Sequence, residues 1–168
     1  MPMQTSYDDA PAAAVEGQLA CRYTEAEIDS CYNADVTAIG WGRGVESGSG
    51  TDEHAVKLPN AETDTIKGVT VRSHSIAPDP RGELDDTDGV KVGGQLNVLR
   101  KGSIWVKVRT GCAPEQPAWC RAVGGGANEV VGGWENADDG TDMIDTTAQA
   151  KFTSYAAALG LAKLRVNF

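Results

Sequence analysis

Chemistry in this chain would have to come from two histidines, four cysteines and scattered carboxylates, so their spacing is decisive. Ser73-His74-Ser75 suggests a nucleophile beside a base, but neighbours on a strand point to opposite faces and are badly placed to share a proton. With His54 as its companion, His74 supports few catalytic schemes, and the Ser-His-Ser run reads as solvated polar residues near a strand end. Glu83, Asp85, Asp86 and Asp88 could in principle supply the acid and base of a glycosidase. Nothing in the sequence sets a separation between them or raises a pKa, so they read as turn residues. The expectation is a protein without catalytic residues.

Metal and nucleotide sites fare no better. Asp86-Thr87-Asp88-Gly89 and residues 136–142, which carry Asn136, Asp138, Asp139 and Asp142 around Gly140, resemble oxygen-rich calcium loops. An EF-hand loop needs oxygen ligands at alternate positions before its glycine and a glutamate after it. Leu84 breaks the first match and Gly140 comes one residue early in the second, which leaves ordinary Asp and Asn turn chemistry. Residues 44–51 are glycine-rich but lack the lysine of a phosphate-binding loop. Cys21, Cys31, Cys112 and Cys120 match neither zinc nor redox spacing and are expected as thiols, with Cys112 and Cys120 able to pair in an oxidising medium. No metal and no cofactor are expected. Trp41, Trp105, Trp119 and Trp134 could line a sugar-binding surface, but scattered tryptophans more often anchor cores and interfaces.

The elements that would position these groups are strands. Residues 95–109 alternate apolar and polar side chains on either side of Arg100-Lys101-Gly102-Ser103, which predicts a β-hairpin with a basic, exposed turn. Residues 161–168 place Ala162, Leu164, Val166 and Phe168 on one face and Lys163, Arg165 and Asn167 on the other. Further strands are expected at 55–58, 68–72 and 119–123, and a turn-rich segment at 77–83. Thr24-Glu25-Ala26-Glu27 has capping-box spacing and predicts a short helix or a loop. In Ile39-Gly40-Trp41-Gly42-Arg43-Gly44-Val45 the glycines leave one side of a strand bare, so a neighbouring strand or subunit must approach it closely. From Ala122 to Ala150 there are six acidic residues and no basic one.

Twenty glycines, seven prolines and short apolar runs favour an all-β fold, a small β-barrel or β-sandwich of short antiparallel strands. Residues 1–19 hold Pro2, Pro11 and an alanine run with no hydrophobic period. They are expected as an extended N-terminal arm, with residues 20–168 as a single β-rich domain. Tyr7, Val15 and Leu19 are the arm's apolar anchors for a partner. A net charge of −9 argues against nucleic-acid binding. No run is long and apolar enough to cross a bilayer, and the first residues lack the pattern of a signal peptide, so no membrane contact and a cytoplasmic origin are expected.

The order of several short pieces resembles a known family. Residues 95–109, with Leu99-Arg100-Lys101-Gly102 followed by Ile104-Trp105-Val106-Lys107-Val108, are similar to the central segment of the structural cement, or decoration, proteins of tailed-phage capsids. Gly17-Gln18-Leu19-Ala20, Gly42-Arg43-Gly44-Val45, Lys57-Leu58-Pro59, Gly68-Val69-Thr70-Val71 and residues 160–167 follow in the matching order. Residues 112–120 and 124–140 depart from the pattern. The resemblance implies a non-enzymatic β-rich protein on the virion exterior, assembled in the host cytoplasm. It would bind the major capsid protein and stiffen the shell, with a homotrimer as its working form. Tyr7, Val15 and Leu19 would then meet the capsid, while Gly40, Trp41, Gly42, Arg43, Arg100 and Lys101 would lie at an oligomer or shell interface. The alternative is a carbohydrate-binding β module.

Overall fold

A computed structural model describes residues 14–48, 50–72, 89–124, 126 and 128–168 of the chain. Among them the strands are β1 (Glu27–Asn33), β2 (Gly44–Ser47), β3 (Ala55–Lys57), β4 (Ile66–Val71) and β5 (Gln95–Lys107). They continue with β6 (Trp119–Arg121), β7 (Trp134–Glu135), β8 (Met143–Asp145), β9 (Ala150–Phe152) and β10 (Leu161–Asn167). The larger sheet runs β1-β3-β2-β4-β5-β10-β9, and β1 also pairs with β5, so its first five strands close into a barrel. Strands β7-β6-β8 form a second, smaller sheet. The fold is all-β, and among the described residues its pairings are antiparallel except between β1 and β3 and at the single bridge of Val108 with Trp134.

Two cores result. Cys31, Ile39, Trp41, Val45, Val56, Val90, Leu96 and Val98 fill the barrel. The second core lies on the other side of β4 and β5, where Val69, Val71 and Leu99 meet Ile104, Val106, Phe152, Leu164 and Val166, with Cys120, Trp134 and Ile144 from the smaller sheet. The alternation of residues 162–166 is realised as read: Ala162, Leu164 and Val166 are buried, while Arg165 and Asn167 are exposed. Phe168 packs partly buried against the second core.

Residues 95–109 are not a hairpin. β5 is one strand of 13 residues, and Arg100-Lys101-Gly102-Ser103 lies within it. Lys101 pairs with Glu27 and Leu99 with Ile28, which leaves Arg100 as the extra residue of a bulge. The bulge changes which parity faces which core. Leu96 and Val98 point into the barrel, whereas Leu99 and then Ile104 and Val106 point into the second core. Gly102 adopts φ +136°, so the glycine signal was genuine, but it serves a bend instead of a turn. The strand stays straight enough to continue because its second half is paired on both sides, by β10 and by residues 17–20.

The capping-box segment also differs from expectation. Tyr23–Glu25 is a single 3-10 turn, and Glu27, Ile28, Cys31 and Tyr32 belong to β1. Pairing to β5 over six registered positions outweighs a weak local helix signal.

Candidate interaction surface

The bare glycine side of residues 39–45 is filled from within the chain. A Cβ on Gly44 would stand 2.5 Å from Cys120 Sγ and 3.3 Å from Trp134 Cζ2, so the smaller sheet lies directly on β2. Trp134 Nε1 donates to the Gly42 carbonyl at 2.9 Å across this joint. Gly42 and Gly17, both at positive φ, interlock: a Cβ on Gly42 would meet Glu16 Cγ at 2.8 Å, and one on Gly17 would meet Trp41 Cβ at 2.8 Å. Trp41 is 9% exposed and belongs to the barrel core, and Gly42 is buried. Gly40 is half-buried, and Arg43 pairs with Glu16 at 3.4 Å. Of the two neighbours expected on this glycine side, a strand or a subunit, the close approach at Gly42 and Gly44 is made from within the chain, by residues 16–17 and by Cys120 and Trp134.

An ion network holds the acidic segment between β6 and β8. Arg121 is 1% exposed, and its Nε donates to Glu135 Oε1 at 2.7 Å while its Nη2 binds Asp139. Arg109 stands with Nε 3.1 Å from the same Glu135 oxygen and also pairs with Glu129. Burial opposes the Arg121 charge, yet the bonds to Glu135 and Asp139 keep its pKa above the ordinary arginine value. The Gly126 amide, then Arg121 and Arg109, hold Glu129 below the usual carboxylate range. Asp139, a candidate calcium ligand by sequence, thus has a guanidinium as its partner. The acidic run was visible in the sequence, but its counter-ions come from Arg109 and Arg121 outside it.

The remaining predicted residues are dispersed. Leu19 bridges Ile104 and packs against the second core, while Val15 is exposed a turn earlier. Tyr7 lies outside the described residues, as do His74, Glu83, Asp85, Asp86, Asp88 and the turn-rich segment 77–83. Arg100 faces Asp29 at 3.6 Å and Lys101 faces Glu27 at 3.4 Å, so both bulge cations are tied to β1. Cys21, Cys31, Cys112 and Cys120 are free thiols, and burial pushes the Cys120 pKa up. His54 is exposed beside Glu53. Glu46 is a buried carboxyl whose pKa burial raises, against its ion pair with Lys57 at 3.1 Å.

Two concavities are formed by the described residues. One, of about 100 Å³ between Glu16, Arg43, Arg109, Trp134 and Leu159, is well below the usual ligand-pocket range of roughly 300–1,000 Å³. A shallow trough of about 420 Å³ is lined by Ala38, Gly40, Arg43, Leu58, Lys91, Val130 and Val131, a set with no carboxylate, histidine, hydroxyl or thiol. Among the described residues no three His, Cys, Asp or Glu side chains are grouped to hold a metal.

The model of the family described as "Structural cement protein (E217 gp24/Pam3 gp6)" matches residues 3–167. The chain belongs to the structural cement protein family. Among solved structures, a chain from the capsid of Myoviridae phage XM1 shares the fold at a TM-score of 0.65. It is 17% identical, and the alignment covers 99% of this chain and 98% of that one. No curated protein matches the chain.

One feature of this cement protein escaped the sequence reading. The outward face of β5, β10 and β9 carries Lys107, Lys163, Arg165 and Lys151 around Trp105. Lys163 pairs with Trp105 across the strands and sets its ammonium 5.1 Å from the indole centroid. The signal was present as polar alternates of period-two runs, but only the register collects them on one face.

Proposed function

We propose that this cement protein binds the outer surface of a phage capsid shell, contacts the major capsid protein, and stiffens the shell against the pressure of packaged genome. Family membership over residues 3–167 carries the reading. The molecule would act as a homotrimer in the virion, after assembly in the host cytoplasm, and would perform no catalytic step. Its build is consistent with a mechanical role. Two cores share β5, and the smaller sheet is locked to the barrel by Gly44 packing and the Trp134–Gly42 bond, so load on one half passes to the other.

The N-terminal segment is the proposed capsid contact. Leu19 is taken up by the chain's own core, which leaves Val15 and Tyr7 to meet the shell. Repetition of such a segment in a trimer would raise its effective concentration and offset the cost of ordering each copy. The test mixes full-length protein, and protein lacking residues 1–13, with shells stripped of it, followed by sedimentation and heat challenge. Full-length protein should co-sediment and raise shell survival, and the shortened form should bind more weakly. Full-length protein that neither binds nor protects a cognate shell refutes the function; equal binding of both forms refutes the arm's part in it.

A further inference from the structure

We infer that the cationic face of β5, β10 and β9 docks a second copy of this chain, through the acidic segment between β7 and β8 of that copy. The inference rests on the reading that the cement protein works as an oligomer, and it names the surfaces that join the subunits. Lys107, Lys151 and Arg165 are exposed, and Lys163 and Trp105 are half-buried. Among the described residues none of the four cations is within ion-pair distance of a carboxylate, although the chain carries −9 overall.

Two observations point to a partner. Arg165 is registered directly opposite Lys151, and like charges facing each other across strands destabilise a sheet unless an anion intervenes. Trp105 lies on this face beside Lys163, and a half-buried indole paired with a cation has the make-up of a binding hot spot.

The complementary surface is on the same molecule. Of the six acidic residues between 122 and 150, Glu129, Glu135 and Asp139 are taken by Arg109 and Arg121. Asp138, Asp142 and Asp145 have no cation partner among the described residues. The arginine network thus fixes the segment and leaves exposed Asp138 and half-buried Asp142 to present, with exposed Asp145 following in β8. A basic face meeting a different, acidic face is a head-to-tail contact, the kind that closes into a ring when the rotation allows.

Sedimentation equilibrium on the full chain tests this. Wild-type association should weaken when salt rises from about 0.1 M to about 1 M, because the screening length falls from roughly 10 Å to 3 Å. Lys163→Glu with Arg165→Glu should weaken it at least about tenfold, and so should Asp138→Lys with Asp142→Lys. All four changes in one chain should restore it, since the charges are merely exchanged. Arg165→Glu places an acid opposite Lys151, which offsets the loss of the Lys163–Trp105 contact, so the first variant should melt close to wild type, which guards against mistaking misfolding for lost contact. Association unchanged by either pair, no rescue by the fourfold exchange, or a wild-type chain that stays monomeric would each overturn the inference. A Lys163→Glu/Arg165→Glu protein that self-associates normally but no longer sediments with shells would instead assign the face to the capsid protein. Failure of wild-type protein to bind shells, with the charge-exchange pattern intact, would overturn the proposed function and leave this contact standing.

Discussion

Gly44→Ala tests whether the smaller sheet, and not another subunit, covers the glycine side of β2. The new Cβ would lie 2.5 Å from Cys120 Sγ, well inside ordinary van der Waals contact, and Trp134 Cζ2 at 3.3 Å blocks the sideways escape. Both obstacles are buried side chains at the joint, so the backbone must yield. Overpacking of this kind costs about 1–3 kcal/mol, which for a chain of this length lowers Tm by roughly 2–4 °C per kcal/mol. Cys120→Ala alone should cost about 1 kcal/mol, for one buried heavy atom lost. In the double variant the added methyl occupies the space the sulfur vacated, so the two losses should fall short of additivity by about 1 kcal/mol or more. Thermal and urea unfolding of the four proteins, at dilute and high concentration, give the cycle. Strict additivity, or a Gly44→Ala effect that grows with protein concentration, would refute the intramolecular joint.

Three further perturbations probe the same architecture. Arg121→Met removes the buried centre of the ion network, leaving Glu135 with Arg109 alone and Asp139 without its cation, at a cost of about 3–5 kcal/mol; limited proteolysis should then cut between residues 124 and 142. Trp134→Phe deletes the indole donor to Gly42 and should cost about 1–3 kcal/mol in chemical unfolding, because a buried carbonyl loses its partner. In acid, Glu129 and Asp145 are held below their ordinary values of 4.5 and 3.8, so their stabilisation is present above those values and is lost as pH falls through the lower folded ones. Glu46 acts oppositely: its raised pKa favours the protonated fold, so its contribution fades as pH rises through that value. Tm against pH should therefore fall on the acid side, and Glu129→Gln should flatten that limb without moving the Glu46 one.

The strand alternation at 162–166 and at 104–108 was legible because burial on one face of a sheet imposes a period of two directly on the residues. The all-β class followed from the same patterns. The demand for a close neighbour at Gly44 was legible as well, since a missing side chain can be read without knowing what fills its place. What could not be read was the neighbour. Cys120 and Trp134 lie 76 and 90 residues further along, and their approach depends on how β6 and β7 fold back onto β2. The four-residue run from Arg100 to Ser103 shows the same division. A glycine able to take positive φ is equally suited to a turn between two strands and to a bend within one, and its immediate neighbours are alike in both. The choice fell to pairing: β1 and β4 flank the first half of β5, and β10 and residues 17–20 flank the second, which holds the two in one strand. The counter-ions of the acidic segment and the gathering of Lys107, Lys151, Lys163 and Arg165 on one face were decided the same way, because register and strand order, which bring distant residues together, are set by the summed packing of the whole chain.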